Sequence, residues 1–262
     1  MLIEFALYLI LGAFVGTLAG LLGVGGGLII VPLLAAIFTA QGISPEIIMH
    51  LALGTSLASI LATSISSVYS HHKHGAVIWS AAFKLSPGIL LGAWCGALFA
   101  SLLSSDILRP VFAVFELLVA AYMLWGVKLN AHHRTPSLLN FGLSGGVIGF
   151  ISSLVGIGGG TMSVPWLIWH GNSIHKAIAT SAALGFPIAF SGSLSYLIAG
   201  LSNPLLPDYS IGFIYLPALG GIIISSIFFA PVGAGLAHRL EVNKLKKIFA
   251  LLLIALATYL LI

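Results

Sequence analysis

Charge is what this sequence has least of. Only 6% of its 262 residues are Asp, Glu, Lys or Arg, while 59% are hydrophobic. A soluble globular chain carries about 25% charged residues, so a water-facing surface cannot be built here and lipid must be the main solvent. The net charge of +4 is small and comes from loops, which argues against a nucleic-acid surface. Cys95 is the sole cysteine, so no intrachain disulfide and no cysteine metal site can form, and no metal or cofactor is expected. Long hydrophilic stretches are missing as well, which leaves no room here for a soluble ATPase, kinase or sensor domain. The opening residues, MLIEFALYLI, lack a basic region and a small-residue cleavage site, and read as the start of a first membrane segment.

What is present is a series of apolar segments, at roughly 2–22, 27–40, 47–70, 80–103, 107–126, 138–155, 160–170, 173–199, 211–237 and 245–262. Segments 27–40 and 160–170 are too short to cross alone, since a spanning helix needs about 20 residues. Each follows a glycine cluster: Gly23, Gly25, Gly26 and Gly27 in one case, Gly156, Gly158, Gly159 and Gly160 in the other. Glycine runs break helices, so two helical hairpins are predicted with the glycines at their turns.

The chain repeats itself. At an offset of 133, Gly12, Gly16, Gly23, Gly25, Gly26, Gly27, Val31 and Pro32 fall on Gly145, Gly149, Gly156, Gly158, Gly159, Gly160, Val164 and Pro165. At 125, His50, Ala52, Thr55, Ser56 and Ala58 fall on His175, Ala177, Thr180, Ser181 and Ala183. At 137, Gly96, Ala97, Phe112 and Ala113 meet Gly233, Ala234, Phe249 and Ala250. An ordered series through the whole chain is a duplication. The predicted fold is therefore an all-α polytopic membrane protein of two transmembrane repeats, 1–130 and 131–262, with eight to ten membrane segments.

If each hairpin counts as an even number of crossings, one side receives Lys73, Lys84, Lys128, Arg134, Lys176, Arg239, Lys244, Lys246 and Lys247, and the other only Arg109. The excess of Lys and Arg in cytoplasmic loops favours this scheme. Each half then has an odd number of crossings, so the repeats are inverted; in a cell (inner) membrane both termini lie outside and the 127–137 linker on the inner side. Gly54, Ala58, Ala62, Ser66 and Ser70 recur every four residues, beside Thr55, Ser59, Thr63 and Ser67; Ala177, Ser181, Gly185, Ala189 and Ser193 form a matching ridge. In lipid such ridges let helices approach closely and bond through hydroxyls. Pro187 predicts a kink in the second ridge.

A helix beginning at Gly27 or Gly160 presents unpaired N–H groups and the positive end of its dipole, which attract anions. The alternative is a tight turn with no ligand. A nucleotide loop does not fit: Leu28 stands where the dinucleotide pattern wants Gly, no P-loop lysine follows and no strand precedes. Two such ends converging near the midplane would form a transporter site. The candidate substrate-binding residues are Gly25, Gly26, Gly27, Gly158, Gly159 and Gly160 as amide donors, with Thr55, Ser56, Thr161, Thr180 and Ser181 as hydroxyl donors. No Lys or Arg lies deep in an apolar segment, so an oxyanion would be held without a full countercharge.

The motifs GLLGVGGGLIIVP, SLVGIGGGTMSVP, ALGTS and AIATS, with HKHGAVIW and LSPGILLGAWCGA, resemble the TauE/SafE family of sulfite and organosulfonate exporters, over nearly the whole chain. The resemblance implies a permease for a small sulfur-containing anion such as sulfite, thiosulfate or an organosulfonate, working by alternating access, and not an enzyme. The second repeat departs from the first, having Thr161, Met162 and Ser163 where the first has Leu28, Ile29 and Ile30.

Glu116 is the one carboxylate well inside a segment, with Leu253 as its counterpart. It reads either as a proton-coupling group or as a carboxyl bonded quietly to a neighbouring helix. His71, His72 and His74 flank Lys73 in a predicted cytoplasmic loop with no carboxylate beside them, and read as a solvated basic loop in preference to a metal site. His50 and His175 match between the repeats as either interfacial gates or loop-end polar residues. The expected partners are a small anion and the bilayer, with a homo-oligomer left open. An intramembrane enzyme using Glu116 or the histidines, and a non-transporting partner subunit, are the rival readings.

Overall fold

The computed structural model describes residues 2–22, 26–125, 136–237 and 242–262. Among these, ten α-helices follow one another: α1 (Leu2–Leu22), α2 (Gly27–Ala40), α3 (Ile48–Lys73), α4 (Trp79–Leu102), α5 (Ser105–Trp125), α6 (Leu138–Leu154), α7 (Gly160–Trp169), α8 (Ile174–Gly200), α9 (Leu216–Ala237) and α10 (Val242–Leu261). They match the ten apolar segments of the sequence. One difference is local. The segment read as starting at 211 opens instead with a two-stranded hairpin, β1 (Ser210–Ile211) and β2 (Ile214–Tyr215), and helix follows only from Leu216. Gly212 sits in that turn at φ 54, a conformation side chains resist. The helices α3, α4, α5 and α8 are each long and apolar enough to cross a bilayer.

α2 has 14 residues and α7 has 10. At 1.5 Å per residue they reach about 21 and 15 Å, short of the roughly 30 Å hydrocarbon core. Each folds back on the helix before it. The Tyr8 hydroxyl donates to Gln41 Oε1 at 2.8 Å, joining the start of α1 to the residue after α2. Phe141 at the start of α6 lies against Trp166 near the end of α7, ring centroids 5.5 Å apart. Both hairpins therefore open at the end where they begin. Both short helices also stop alike: Ile43 N–H bonds the Phe38 carbonyl and Asn172 N–H the Leu167 carbonyl, around Gly42 (φ 74) and Gly171 (φ 81).

Small residues decide how the long helices pack. Gly88, Gly92 and Gly96 of α4 press on the backbone of Gly142, Gly146 and Phe150, so α4 runs parallel to α6. Gly12 and Gly16 of α1 press on Ser225 and Ser226 of α9, again in parallel. Lipid offers no hydrophobic gain to two apolar helices, and close backbone approach supplies the dispersion contact instead. α4 also packs on α8, where Ser191 and Ser195 donate to the carbonyls of Leu90 (2.6 Å) and Trp94 (3.1 Å). At the centre α3 meets α8: Gly54 faces Tyr196, Leu57 faces Gly192 and Ser64 faces Gly185, so these two helices run antiparallel. α8 continues through Pro187.

These pairings have a pattern. When each helix is replaced by its counterpart in the other sequence repeat, α1 against α9 becomes α6 against α4, and α3 against α9 becomes α8 against α4. The pairs α3 with α8 and α5 with α10 map onto themselves. The first helix of each repeat is thus held mainly by the fourth helix of the other.

Candidate functional site

The second glycine break is described in full. α6 ends when Ile157 N–H bonds the Ser152 carbonyl at 2.8 Å and Gly156 N–H the Ser153 carbonyl at 3.3 Å, with Gly156 at φ 65. The chain turns again at Gly159 (φ 77), which precedes the first residue of α7. Two left-handed glycines within four residues are what allow helix, break and new helix in so short a length. The first intrahelical bonds of α7 run from Met162 and Ser163 N–H to the Gly159 carbonyl. The N–H groups of Gly158, Gly159, Gly160 and Thr161 precede them and have no acceptor among the described residues.

Hydroxyls surround these amides. Ser163 Oγ lies 2.9 Å from the Gly159 carbonyl oxygen and 2.7 Å from Ser181 Oγ. Thr161 Oγ1 is buried and has no hydrogen-bond partner. Ser152, on the last turn of α6, is fully buried, and neither its Oγ nor Thr161 Oγ1 has a partner among the described residues. A buried hydroxyl left unpaired costs on the order of 1–3 kcal/mol, so two of them at one helix start need a reason. Ser152 Oγ lies 3.4 Å from where a β-carbon on Gly159 would stand, a place the Ile188 δ-methyl approaches more closely, so the hydroxyl sits beside the start of α7. Sequence reasoning did not single out Ser152; its hydroxyl recurs nowhere in the first repeat, where Ala19 takes its place.

The first break meets the second. Gly25 lies outside the described residues, as do Gly23 and Val24. Gly26 and Gly27 open α2, and a β-carbon on Gly27 would stand 2.6 Å from the Gly156 carbonyl oxygen and 2.8 Å from Ile157 Cα. The Ser56 hydroxyl donates to that same Gly156 carbonyl at 2.8 Å. So Gly26, Gly27, Ser56, Gly158, Gly159, Gly160, Thr161 and Ser181 share one neighbourhood where the two hairpin tips abut.

Thr55 and Thr180 do something else. Both are fully buried. Thr55 Oγ1 accepts the Tyr215 N–H at 3.0 Å, and Thr180 Oγ1 accepts the Ile78 N–H at 2.9 Å. Tyr215 and Ile78 directly precede α9 and α4. Each matched threonine therefore satisfies an orphan donor at the start of the other repeat's fourth helix. Three residues before each donor stands a left-handed glycine, Gly212 and Gly75 (φ 62).

Glu116 sits midway along α5, fully buried, and neither carboxyl oxygen has a partner among the described residues. α5 packs chiefly on α10, away from the two breaks. The matched histidines part company: His50 is buried, its Nε2 2.9 Å from the Leu103 carbonyl oxygen and its ring stacked on Phe213, whereas His175 is exposed. His50 lines a cavity of about 450 Å³ with Glu46, Ser105 and Asp106. His72 accepts the Trp79 indole N–H at 3.2 Å, and no group of three candidate metal ligands occurs among the described residues.

A family model described as Sulfite exporter TauE/SafE matches residues 8–260. A "Probable membrane transporter protein" of Haemophilus influenzae is 41% identical over 254 residues, covering 96% of each chain. A protein of the same name from Methanocaldococcus jannaschii is 30% identical over 247 residues, covering 92% of this chain and 89% of its own. YunE of Bacillus subtilis, also named a probable membrane transporter, is 27% identical over 271 residues, covering 96% and 95%. No solved structure matches.

Proposed function

Because the chain belongs to the sulfite exporter TauE/SafE family, we propose that it is a permease for a small sulfur-containing anion such as sulfite, thiosulfate or an organosulfonate. Its relatives carry the name of membrane transporters, and the chain is a multi-pass membrane transporter on that ground. The observation that carries the anion is the start of α7. Four amides and two hydroxyls without a partner among the described residues lie at or beside this helix start, all of them hydrogen-bond donors. Donors without a countercharge hold an oxyanion loosely enough to release it.

The mechanism is alternating access between two inverted repeats. Its support is the antiparallel course of α3 and α8, which are corresponding helices, and the exchange of partners between the halves. The Thr55 and Thr180 bonds are then equivalent latches near opposite faces, one breaking when each side opens. Both termini lie outside the cell membrane, and the 127–137 linker lies on its cytoplasmic side. Glu116, a carboxyl in the middle of a span with no partner among the described residues, carries the coupling proton.

The test is flux into sealed proteoliposomes holding this chain alone, with sulfite, thiosulfate, sulfoacetate and sulfate, and a cation as control. Movement of at least one sulfur anion and not of the cation is expected. Flux of the sulfur anions no faster than in empty vesicles would overturn the proposal. Glu116→Gln should abolish anion movement driven by a proton gradient while sparing exchange of anion for anion.

A further inference from the structure

Resting on that reading, we propose that the molecule holds a single anion, at the start of α7 in the second half only, and that Ser152 is one of its ligands. The argument begins with what lacks a partner. Ser152 is fully buried and could have bonded a nearby carbonyl, as Ser153 does with Phe150 on the same turn, yet its Oγ has no partner. It lies beside Gly159 and the Ile188 δ-methyl, at the helix start where four amides of α7 have no acceptor among the described residues. Thr161, one residue into α7, is the other unpaired hydroxyl. An oxyanion there would offer acceptors to these hydroxyls and to the helix amides.

Among the described residues, the first half offers fewer donors. At the offset of 133, the counterparts of Ser152, Thr161 and Ser163 are Ala19, Leu28 and Ile30. Leu28 and Ile30 are buried among the apolar core, so no hydroxyl replaces those of the second half. Gly27 is meanwhile pressed on Gly156 and Ile157 of the other hairpin on the side where a β-carbon would stand. The duplicated break has therefore diverged into a binding tip and a supporting tip. The donors are all neutral, so a singly charged sulfonate headgroup is favoured over a sulfate dianion, whose desolvation penalty grows as the square of the charge.

Titration calorimetry and thermal unfolding of the purified chain would test this, using sulfite, thiosulfate and methanesulfonate as probes. The wild type should bind one equivalent of at least one probe and be stabilised by it. Ser152→Ala should weaken that binding at least ten-fold and abolish the stabilisation by the probe. Without probe, Ser152→Ala should unfold no earlier than the wild type, because it removes an unpaired polar group. A serine needed only for packing would give the opposite, a lower midpoint without probe and an unchanged affinity. Two equivalents bound, or Ser152→Ala within two-fold of wild-type affinity, would overturn the single site while leaving transport standing. A wild type that neither binds nor moves any probe would overturn the proposed function and this inference with it.

Discussion

Thr55 and Thr180 recur at the same place in both repeats, and the structure gives each the same task. Their hydroxyl oxygens receive the Tyr215 and Ile78 N–H groups, donors that a helix start leaves unpaired. The recurrence was legible in the sequence, and so was the hydroxyl chemistry. The partner was not, because Tyr215 lies 160 positions from Thr55 and nothing in a sequence offset names a backbone donor in the other half. We expect Thr55→Val to keep the shape and lose the acceptor, at about 1 kcal/mol or somewhat more, while Thr55→Ser recovers most of it. Unfolding midpoints in one detergent would measure both. Oxyanion affinity unchanged in the Thr55→Val, Thr180→Val double variant would remove these hydroxyls from the anion's ligands and leave them as latches. Ser152 escaped sequence reasoning for the opposite reason: it has no counterpart, so a search for repetition passes over it.

At the scale of elements, ten segments of apolar sequence became ten helices, and the two short ones begin at the glycines that predicted them. The hairpin of Ser210–Tyr215 was not legible, since Ile211, Phe213 and Ile214 continue the apolar run into α9. Only the packing of Phe213 on His50 and on Gly54 shows why helix waits until Leu216. The α4–α6 contact sharpens what glycine means inside a membrane helix. A β-carbon at Gly92 would run into the Gly146 backbone, whereas one at Gly142 would meet nothing within 4 Å. Gly92→Ala should therefore separate the helices and lower stability by roughly 1–3 kcal/mol, as overpacking does. Gly142→Ala should be neutral or stabilising by up to about 1 kcal/mol, as alanine favours helix. Thermal unfolding of the two variants side by side distinguishes a packing glycine from an incidental one.

For the whole molecule, the duplication could be read from three offsets, but the exchange of partners between halves could not. Matching positions say that two segments are alike and are silent on which helix each one touches. Orientation is the remaining question, and it rests on nine basic residues against one. Of these, Lys128, Arg134 and Arg239 lie outside the described residues. A reporter fused within 127–137 should be active only in its cytoplasmic form, with fusions at either terminus reporting from outside. An externally active linker fusion would reverse the topology.

The exchanged packing also has a consequence in time. α1 leaves the ribosome well before α9, which holds it and follows about 190 residues later. At roughly 5–20 residues per second that is a delay of about 10–40 s, during which α1 has only lipid and insertion machinery for company. A soluble protein with its glycine ridge and apolar faces bare for so long would aggregate. Gly12 and Gly16 can wait, because a bilayer satisfies an apolar helix until its partner arrives. The α1–α9 contact is thus made long after α1 itself has entered the membrane.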